Sequence, residues 1–326
     1  MEQTPRRGQA EGEVTTAERS RILTAARLFY LEDRSKIEIA DRLGVSRFKV
    51  ARMLELAKSL GLVTITLNDQ GVIDEELSAQ LAEHLGLKEA VVIETHGDDD
   101  DVRHQVGTAA AELLSTTLAD GEVLGMSWGR TLSAMTESLP SLPPMSIVQL
   151  TGAAGSNLYQ SPVELVRKVA QSSGGSAHPI FAPLVIGNAE IAAALRQQTE
   201  IARALELFHD ITTAVMSIGS WAPPESQLFE SVHPEDREAL VARGVVAEIA
   251  ATLVAADGSE IAPDFADRCI AVTSDQLRRI PRVLAVAAGA RKALAVASVA
   301  RAGLISGVVT DRALATRVLD EHERAA

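Results

Sequence analysis

The chain has 326 residues, 46% of them hydrophobic, and this length exceeds what one hydrophobic core usually organises, so we expect two domains. Its 31 basic and 44 acidic residues give a formal net charge of −13, which excludes a protein that coats nucleic acid with a uniformly basic surface. No segment offers the roughly 18 uninterrupted apolar residues of a membrane span, and the N-terminus lacks the apolar stretch of a secretory signal. We therefore expect no membrane partner.

Cysteine and histidine occur in patterns that do not favour a metal site. The one cysteine, Cys269, allows neither an internal disulfide nor a thiolate cluster, and its apolar neighbours predict a small core residue. His96 and His104 flank an acidic run without a tight ligand spacing such as positions i and i+4. These residues predict a cytoplasmic protein without a metal or another cofactor.

Charge is distributed unevenly along the chain. The first 60 residues contain 12 Lys and Arg against 9 Asp and Glu, or +3, so the remainder carries 19 against 35, or −16. Such asymmetry is typical of a nucleic-acid-binding module attached to a second domain.

Helix-capping signals divide the N-terminal part into three helices. Residues 1–14 are polar and lack periodicity, which predicts a disordered tail. Thr15 and Glu18 form a capping-box pair for a first helix that ends near Glu32, and Ser35 can cap a second helix.

The third helix carries the candidate DNA contacts. Gly44 would end the second helix, and Ser46 would cap a third helix from Arg47 to about Ser59, which predicts a helix-turn-helix. Its exposed side has three cations and no carboxylate before Glu55, which suits contacts with phosphate and guanine. An ordinary helical hairpin with a solvated charged face is the alternative. The candidate DNA-binding residues are Ser46, Arg47, Phe48, Lys49 and Arg52.

A short strand and a connector helix are predicted next. Residues 62–67 alternate apolar and polar side chains, which predicts a wing strand that completes a winged helix-turn-helix domain over residues 15–68. A connector helix within residues 69–88 has an apolar stripe that either packs on its own domain or pairs with another subunit, since a helix-turn-helix usually binds DNA as a dimer. The stripe consists of Ile73, Leu77, Leu81 and Leu85.

Residues 89–326 alternate short apolar runs with helical stretches. Continuous apolar runs indicate strands that are buried on both faces, so we predict a larger Rossmann-like α/β domain in which helices flank a parallel sheet. Ligands bind at the carboxyl ends of such strands. The runs are residues 91–93, 122–126, 147–150, 214–218, 283–286 and 307–309.

Two turns after these runs have the composition of an anion site. Residues 127–131 begin a helix with small and hydroxyl side chains, and the helix dipole disfavours Arg130 there unless an anion lies beside it. A plain turn with a solvated arginine is the alternative. Residues 287–292 again place cations where a helix begins. Neither turn matches a dinucleotide or nucleoside triphosphate fingerprint.

Other loops have the composition of a sugar pocket. Residues 151–156 and 219–221 supply small and hydroxyl side chains. Glu248 lies inside an apolar run and needs a polar partner if it is buried, whereas an exposed strand edge fits the sequence equally well.

Several ordered motifs match a known family. They are the helix-turn-helix at residues 37–53, the loop at 125–131, and the segments 217–220, 244–249, 277–283 and 304–311. With them the chain resembles, from about residue 17 to 320, the SorC family of sugar-binding transcriptional regulators, which includes the Bacillus-type deoxyribonucleoside regulators. The resemblance implies bacterial control of a carbohydrate operon, a winged helix-turn-helix, an effector domain similar to sugar-phosphate isomerases, and usually a tetramer built as a pair of dimers.

The resemblance also implies roles for individual residues. Residues 127–131 would hold the effector phosphate, Lys292 would contact a phosphate or sugar oxygen, and Glu248 would accept a hydrogen bond from a sugar hydroxyl. Gln160 stands where relatives often carry Asn or Gln at the sugar. The absence of a lysine from residues 149–152 argues against covalent capture of an open-chain sugar there. The candidate effector-binding residues are Ser127, Trp128, Gly129, Arg130, Thr131, Thr151, Gly152, Gln160, Gly219, Glu248 and Lys292.

The sequence therefore predicts a regulator rather than an enzyme: a dimer or tetramer whose binding to operator DNA is switched by a small phosphorylated sugar or polyol. A sugar-phosphate isomerase carrying a DNA-binding domain is one alternative, but isomerisation needs an acid–base constellation and the sequence offers Glu248 alone. A constitutive structural DNA binder is another alternative, and it would need no turns suited to anions.

Overall fold

The computed structural model describes residues 15–63, 71–154 and 161–323, and the chain forms two compact units, Met1–Asn68 and Asp69–Ala326. The predicted tail, most of the predicted wing strand, and Gln160 lie outside the described residues. The described helices are α1 (Thr16–Tyr30), α2 (Lys36–Leu43), α3 (Arg47–Ser59), α4 (Glu75–Leu85), α5 (Asp99–Thr117), α6 (Arg130–Glu137), α7 (Pro162–Ser173), α8 (Ala189–Arg196), α9 (Thr199–Glu206), α10 (Gln227–Ser231), α11 (Pro234–Ala242), α12 (Pro263–Ala266), α13 (Ser274–Leu277), α14 (Ala293–Arg301) and α15 (Arg312–Glu323). The described strands are β1 (Glu89–Ile93), β2 (Val123–Met126), β3 (Ser146–Gln149), β4 (Ser176–His178), β5 (Thr213–Met216), β6 (Gly219–Trp221), β7 (Pro224–Glu225), β8 (Ala247–Ile249), β9 (Thr252–Val254), β10 (Glu260–Ile261), β11 (Arg282–Val286) and β12 (Gly307–Asp311).

The three helices of the first unit begin where the capping pattern predicts. Reciprocal capping boxes start α1 at Thr15 and α2 at Ser35, and the Ser46 hydroxyl accepts a hydrogen bond from a backbone amide at the start of α3. Gly44 ends α2 with φ of +62°, a conformation that glycine adopts without steric cost. The predicted succession of helix, tight turn and helix is confirmed.

The apolar faces of these helices form one small core. Ala25 of α1, Ile39 of α2, and Val50 and Ala57 of α3 are fully buried in it. Because these residues recur at helical spacing, their burial fixes which side of α3 faces the core and which side faces solvent.

A parallel sheet organises the second unit. Its strand order is β1-β12-β11-β5-β2-β3-β4, and every neighbouring pair is parallel. Each of the six predicted apolar runs forms one of these strands, so the α/β fold class is confirmed. The remaining strand, β4, lies at the sheet edge with two exposed residues and one half-buried residue, and therefore has no apolar run to reveal it.

Helices cover both faces of this sheet, which explains the continuous apolar runs. Neighbouring residues of one strand enter different cores: Val308 packs with α14 and α15, and Val309 packs with α5 and α6. Val92 and Ile93 of β1 divide in the same way. Because helices cover both faces, most positions along the strands are apolar, and the buried polar exceptions include Gln149 of β3 and Thr310 of β12.

The connector helix α4 packs on the second unit. Leu81 is fully buried in the core beneath α14 and α15, and Leu77 and Leu85 pack against that core. Ile73, before the helix, stays 54% exposed and bridges to Ile93 of β1. Of the two alternatives for the stripe, the structure therefore shows packing on its own domain.

A second, smaller sheet was not predicted from the sequence. Its strands are antiparallel in the order β10-β9-β8-β6-β7, and each has only two or three residues. Strands this short carry no readable alternation. Trp221 of β6, Leu253 of β9 and Phe265 of α12 are buried together in the core of this region.

Cys269 is buried in the same core. Its thiol donates a hydrogen bond to the Phe265 carbonyl oxygen at 3.3 Å, and burial raises the pKa of the thiol to about 12. The prediction of a small core residue is confirmed. Across the described ranges, no helix has the length and apolar character of a membrane span, and no group of three or more His, Cys, Asp or Glu residues could hold a metal ion.

Candidate functional site

The candidate DNA contacts lie together on the solvent side of α3. Arg47, Phe48, Lys49 and Arg52 are all exposed, because the core buries the other side of α3. Ser46 holds the start of the helix, with its Oγ accepting from the Lys49 amide at 3.3 Å. Three cations therefore share one solvated face.

A carboxylate of α1 shares this region, which the sequence did not indicate. Glu18 lines a groove between α1 and α3 together with Arg21, Lys49 and Arg52. Hydrogen bonds from Thr15 lower the pKa of Glu18, and Lys49 lowers it further. Glu18 is held in place by the hydrogen bonds of the helix cap. Its negative charge offsets part of the positive charge at this end of α3.

The second unit has a cleft of about 670 Å³, its open mouth included, at the carboxyl ends of β2, β3, β5 and β11. The small antiparallel sheet forms the opposite wall. This is the edge at which parallel sheets bind ligands. The candidate effector residues that line it are Ser127, Trp128, Gly129, Arg130, Thr131, Thr151, Gly219, Glu248 and Lys292.

Ser217 holds the turn after β2 in place by hydrogen bonds, and the start of the helix that follows the turn has no side-chain cap. Ser127 Oγ accepts from the Ser217 amide at 2.9 Å, and Ser217 Oγ donates to the Trp128 carbonyl oxygen at 2.7 Å. A Cβ on Gly129 would lie 2.5 Å from Ser217 Oγ, so only glycine fits this approach. Gly129 is the N-cap of α6 and supplies no side-chain cap, which leaves the first turn of the helix open to the cleft.

Positive charge surrounds this helix start. Arg130 is exposed there, and no described carboxylate lies within ion-pair distance of its guanidinium. Arg103 of α5 lines the same end of the cleft, although it forms an ion pair with Asp100 at 2.6 Å. Helix N-termini with adjacent arginines bind anions readily.

Lys292 lies deeper in the cleft. Its Nζ donates to the Ile218 carbonyl oxygen at 2.8 Å. Burial and, next, the positive charge of Arg130 lower the pKa of Lys292 to about 8. An anion bound beside it would reverse part of that shift, because it would favour the protonated amine.

Glu248 is held at the far wall of the cleft. It lies on β8, which pairs with β6 and β9 and is therefore a central strand, so the alternative of an exposed strand edge is wrong. Its Oε1 accepts from Ser226 Oγ at 2.9 Å. Burial raises the pKa of this carboxyl, while hydrogen bonds from Ser226 and from the Ala251 backbone oppose the rise. The carboxylate still has acceptor capacity for a ligand hydroxyl.

Thr151 lines the cleft and has a buried hydroxyl without a partner. The residue is only 1% exposed, and its Oγ1 has no hydrogen-bond partner among the described residues. A buried hydroxyl without a partner is costly.

In the second candidate turn, after β11, the polar groups already have partners within the protein. The Gly289 amide donates to Asp311 Oδ2 at 2.6 Å, and Arg291 Nε lies 3.2 Å from Glu225 Oε1. Only Lys292 of its two cations lines the cleft together with the turn residue Ala288. The predicted likeness to the first turn is therefore limited to composition.

Two candidate residues are not brought to the cleft. Gly152 lies against the backbone of Ala182 and Pro183, where a Cβ would collide, so its role is a close backbone approach. Gln160 lies outside the described residues. Sequence reasoning missed several lining residues whose partners are distant in the chain: Arg103, Ser217, Glu225, Ser226 and Gln227.

The two tryptophans are not equivalent. Trp128 is half-buried and lines the cleft, whereas Trp221 is 3% exposed and packs edge-on against Phe229 at 5.1 Å. Only Trp128 would contact a bound ligand.

Fold and cleft together define an α/β ligand-binding domain that is joined to a small helical unit. The family model of the sugar-binding domain, Sugar-bind, matches residues 72–320, and the chain belongs to this family of SorC-type regulators. The Deoxyribonucleoside regulator of Bacillus subtilis (strain 168) is 28% identical over 305 residues, covering 92% of this chain and 94% of that protein. The Sorbitol operon regulator of Klebsiella pneumoniae is 25% identical over 305 residues, covering 91% and 97%. The crystal structure of the full-length Sorbitol Operon Regulator SorC from Klebsiella pneumoniae shares the fold, with a TM-score of 0.71 and 23% identity over 93% of this chain and 100% of that one.

Proposed function

We propose that this protein is a bacterial transcriptional regulator of a carbohydrate operon, and that a small phosphorylated sugar or polyol in the cleft switches its affinity for operator DNA. The relatives described above are named as a Deoxyribonucleoside regulator and a Sorbitol operon regulator, which supports the regulatory part. We infer no catalytic role for the cleft.

The chemistry of the cleft carries the proposal about the effector. The lining contains the open start of α6 with Arg130 and Arg103, and it also contains the Glu248 carboxylate and the Thr151 hydroxyl, which has no described partner. A phosphate suits the helix start and its arginines, and hydroxyl groups suit Glu248 and Thr151. A sugar or polyol phosphate combines both groups in one small molecule.

The exposed face of α3 carries the proposal about DNA. Arg47, Lys49 and Arg52 would contact phosphates and base edges when α3 enters the major groove. One such helix reads few bases, so we propose that the protein binds operator DNA as a homodimer or homotetramer in the cytoplasm.

A thermal-shift panel tests the effector assignment. We would compare sorbitol 6-phosphate, deoxyribose 5-phosphate and other sugar phosphates with the same sugars lacking phosphate, and with inorganic phosphate alone. A cognate phosphate at 100 times its dissociation constant adds about 2.7 kcal/mol to the free energy of unfolding. Equal stabilisation by the unphosphorylated sugar would replace the phosphate site with a neutral polyol pocket.

An operator-binding assay tests the DNA assignment. Replacing Arg52 with Ala should weaken binding of a selected operator by about fivefold or more, since a base-reading arginine contributes about 1 to 3 kcal/mol. A triple variant of Arg47, Lys49 and Arg52 that binds normally at physiological salt would contradict the assignment.

A further inference from the structure

Phe48 is exposed where a polar residue would be expected. It lies in the first turn of α3 with 73% of its surface exposed, among the cations Arg47, Lys49 and Arg52. Nothing in the core of the first unit requires an aromatic ring at this position, because the buried face of α3 begins at Val50.

The ring forms a ridge on the outer side of α3. Phe48 lines the groove between α3 and α1, and it also lines a depression that Phe29 and Ile37 share with the start of α2. The Phe48 side chain therefore borders both hollows and is exposed at the start of α3.

Arg47 is stacked on this ring. The centre of its guanidinium lies 4.9 Å from the ring centroid. A cation in this position is attracted by the ring face, so the two side chains are held together as one unit. Together they would present an apolar surface and a hydrogen-bond donor to the same part of a partner.

The major groove offers that combination. Thymine projects its 5-methyl group there, guanine presents two acceptors to arginine, and phenylalanine is among the side chains that contact the thymine methyl. Recognition helices read bases with the residues of their first turns. A protein surface would match the ring alone, whereas the surrounding cations favour DNA.

We propose that Phe48 is a specificity-determining residue that contacts the 5-methyl group of one thymine in each operator half-site, beside the base edge that Arg47 contacts. This inference rests on the proposed DNA-binding function. It adds the identity of a base and the chemical group by which that base is read.

The test removes one methyl group from the DNA. An operator would be selected from random duplexes with the full-length protein, and each thymine of the half-site would then be replaced by uracil in turn. We expect one position at which uracil weakens wild-type binding by about fourfold, or by about fifteenfold when both half-sites are changed, since a buried methyl contributes about 0.8 kcal/mol.

Three variants show whether Phe48 is responsible. Phe48→Ala should bind the thymine operator more weakly and should no longer distinguish uracil from thymine at that position, whereas Phe48→Leu should keep most of the discrimination. Phe181, which is also 73% exposed but lies in the second unit, provides the matched control, and Phe181→Ala should leave operator affinity unchanged. Circular dichroism and the thermal midpoint check that each variant is folded.

The possible failures are distinguishable. If no uracil position affects the wild-type protein, or if Phe48→Ala retains full sensitivity to uracil, the inference is wrong even though Arg52→Ala weakens binding. If Phe48→Ala instead lowers the mass measured by light scattering, the ring belongs to a contact between copies, which also overturns the inference. If Arg52→Ala binds normally as well, the proposed function itself fails.

Discussion

The turn after β2 and the turn after β11 both place cations at the start of a helix on the same edge of the parallel sheet. Carboxylates of the protein itself pair with the backbone amide and the arginine of the second turn only. There, Asp311 accepts the Gly289 amide, and Glu225 pairs with Arg291. At the first turn, Gly129 leaves α6 uncapped, and no described carboxylate pairs with Arg130. At the first turn Arg130 therefore has no described carboxylate within ion-pair distance, whereas the second turn contributes only its cation Lys292 to the cleft.

The lining of the cleft combines Arg130, which has no described carboxylate within ion-pair distance, with the Glu248 carboxylate. A ligand that carries both an anion and hydroxyl groups could bind to both of them.

The largest effect is expected at Arg130. Arg130→Gln removes a charge-assisted hydrogen bond to the phosphate, which contributes about 1.5 to 3 kcal/mol. We expect a tenfold to hundredfold loss of affinity for whichever sugar phosphate gives the largest thermal shift, measured by calorimetric titration.

Arg291→Gln is the matched control for this change. Arg291 is 63% exposed and already paired with Glu225, so its loss should change effector affinity by less than about twofold. Equal losses in the two variants would remove the distinction between the turns.

Lys292 predicts a pH dependence. Its amine has a pKa of about 8 without ligand, below the ordinary 10.5, so above pH 8 the folded protein holds fewer protons than the unfolded chain and its stability rises with pH. A phosphate stabilises the protonated amine, so effector affinity should fall as pH rises through 8, with proton uptake on binding. Titrations in buffers of different ionisation enthalpy measure that uptake.

Lys292→Met should abolish this dependence. The variant should bind the phosphate more weakly at pH 7, and its affinity should then stay flat between pH 7 and 9. A variant that retains the wild-type pH profile would show that the proton belongs to another group.

A smaller effect is expected at Thr151. Thr151→Val removes a buried hydroxyl that has no partner, so the ligand-free protein should gain about 1 kcal/mol of stability. Effector affinity should fall by about twofold to tenfold if the hydroxyl contacts the ligand. Chemical denaturation and calorimetric titration measure the two effects.

Thr310 provides the comparison for that variant. Its Oγ1 is likewise buried without a partner, but Thr310 lies on β12 and does not line the cleft. Thr310→Val should gain similar stability and leave effector affinity unchanged. If Thr151→Val behaves in the same way, Thr151 does not contact the effector.

The smallest change is spectroscopic. Trp128 lines the cleft and Trp221 does not, so the tryptophan emission of Trp221→Phe should still respond to a bound sugar phosphate, and that of Trp128→Phe should not. A response that disappears in Trp221→Phe and persists in Trp128→Phe would contradict a ligand site beside Trp128.

Sequence reasoning succeeded where structure is determined locally. Thr15 with Glu18 and Ser35 with Glu38 form capping boxes within four residues of chain, so the helix starts could be read directly. The apolar runs of the parallel sheet were equally visible, because burial on both faces makes most of their positions apolar.

It failed where the outcome depends on residues that are distant in the chain. The two cationic turns could not be distinguished, since Asp311 and Glu225 reach the second turn from β12 and β7. Glu248 was ambiguous for the same reason: its partner Ser226 comes from the start of α10. The short strands of the small sheet left no periodic signal at all.

The most direct measurement is operator affinity as a function of effector concentration. Wild-type protein, Arg130→Gln and Arg291→Gln would be titrated with the cognate sugar phosphate and with the same sugar lacking phosphate. A switch requires the ligand to bind one DNA-reading state more tightly than the other. We predict that the phosphate alone shifts operator affinity in the wild type and Arg291→Gln, that Arg130→Gln needs at least tenfold more phosphate for the same shift, and that all three bind DNA equally without ligand. An equal shift by the unphosphorylated sugar, or an unchanged midpoint in Arg130→Gln, would contradict the account.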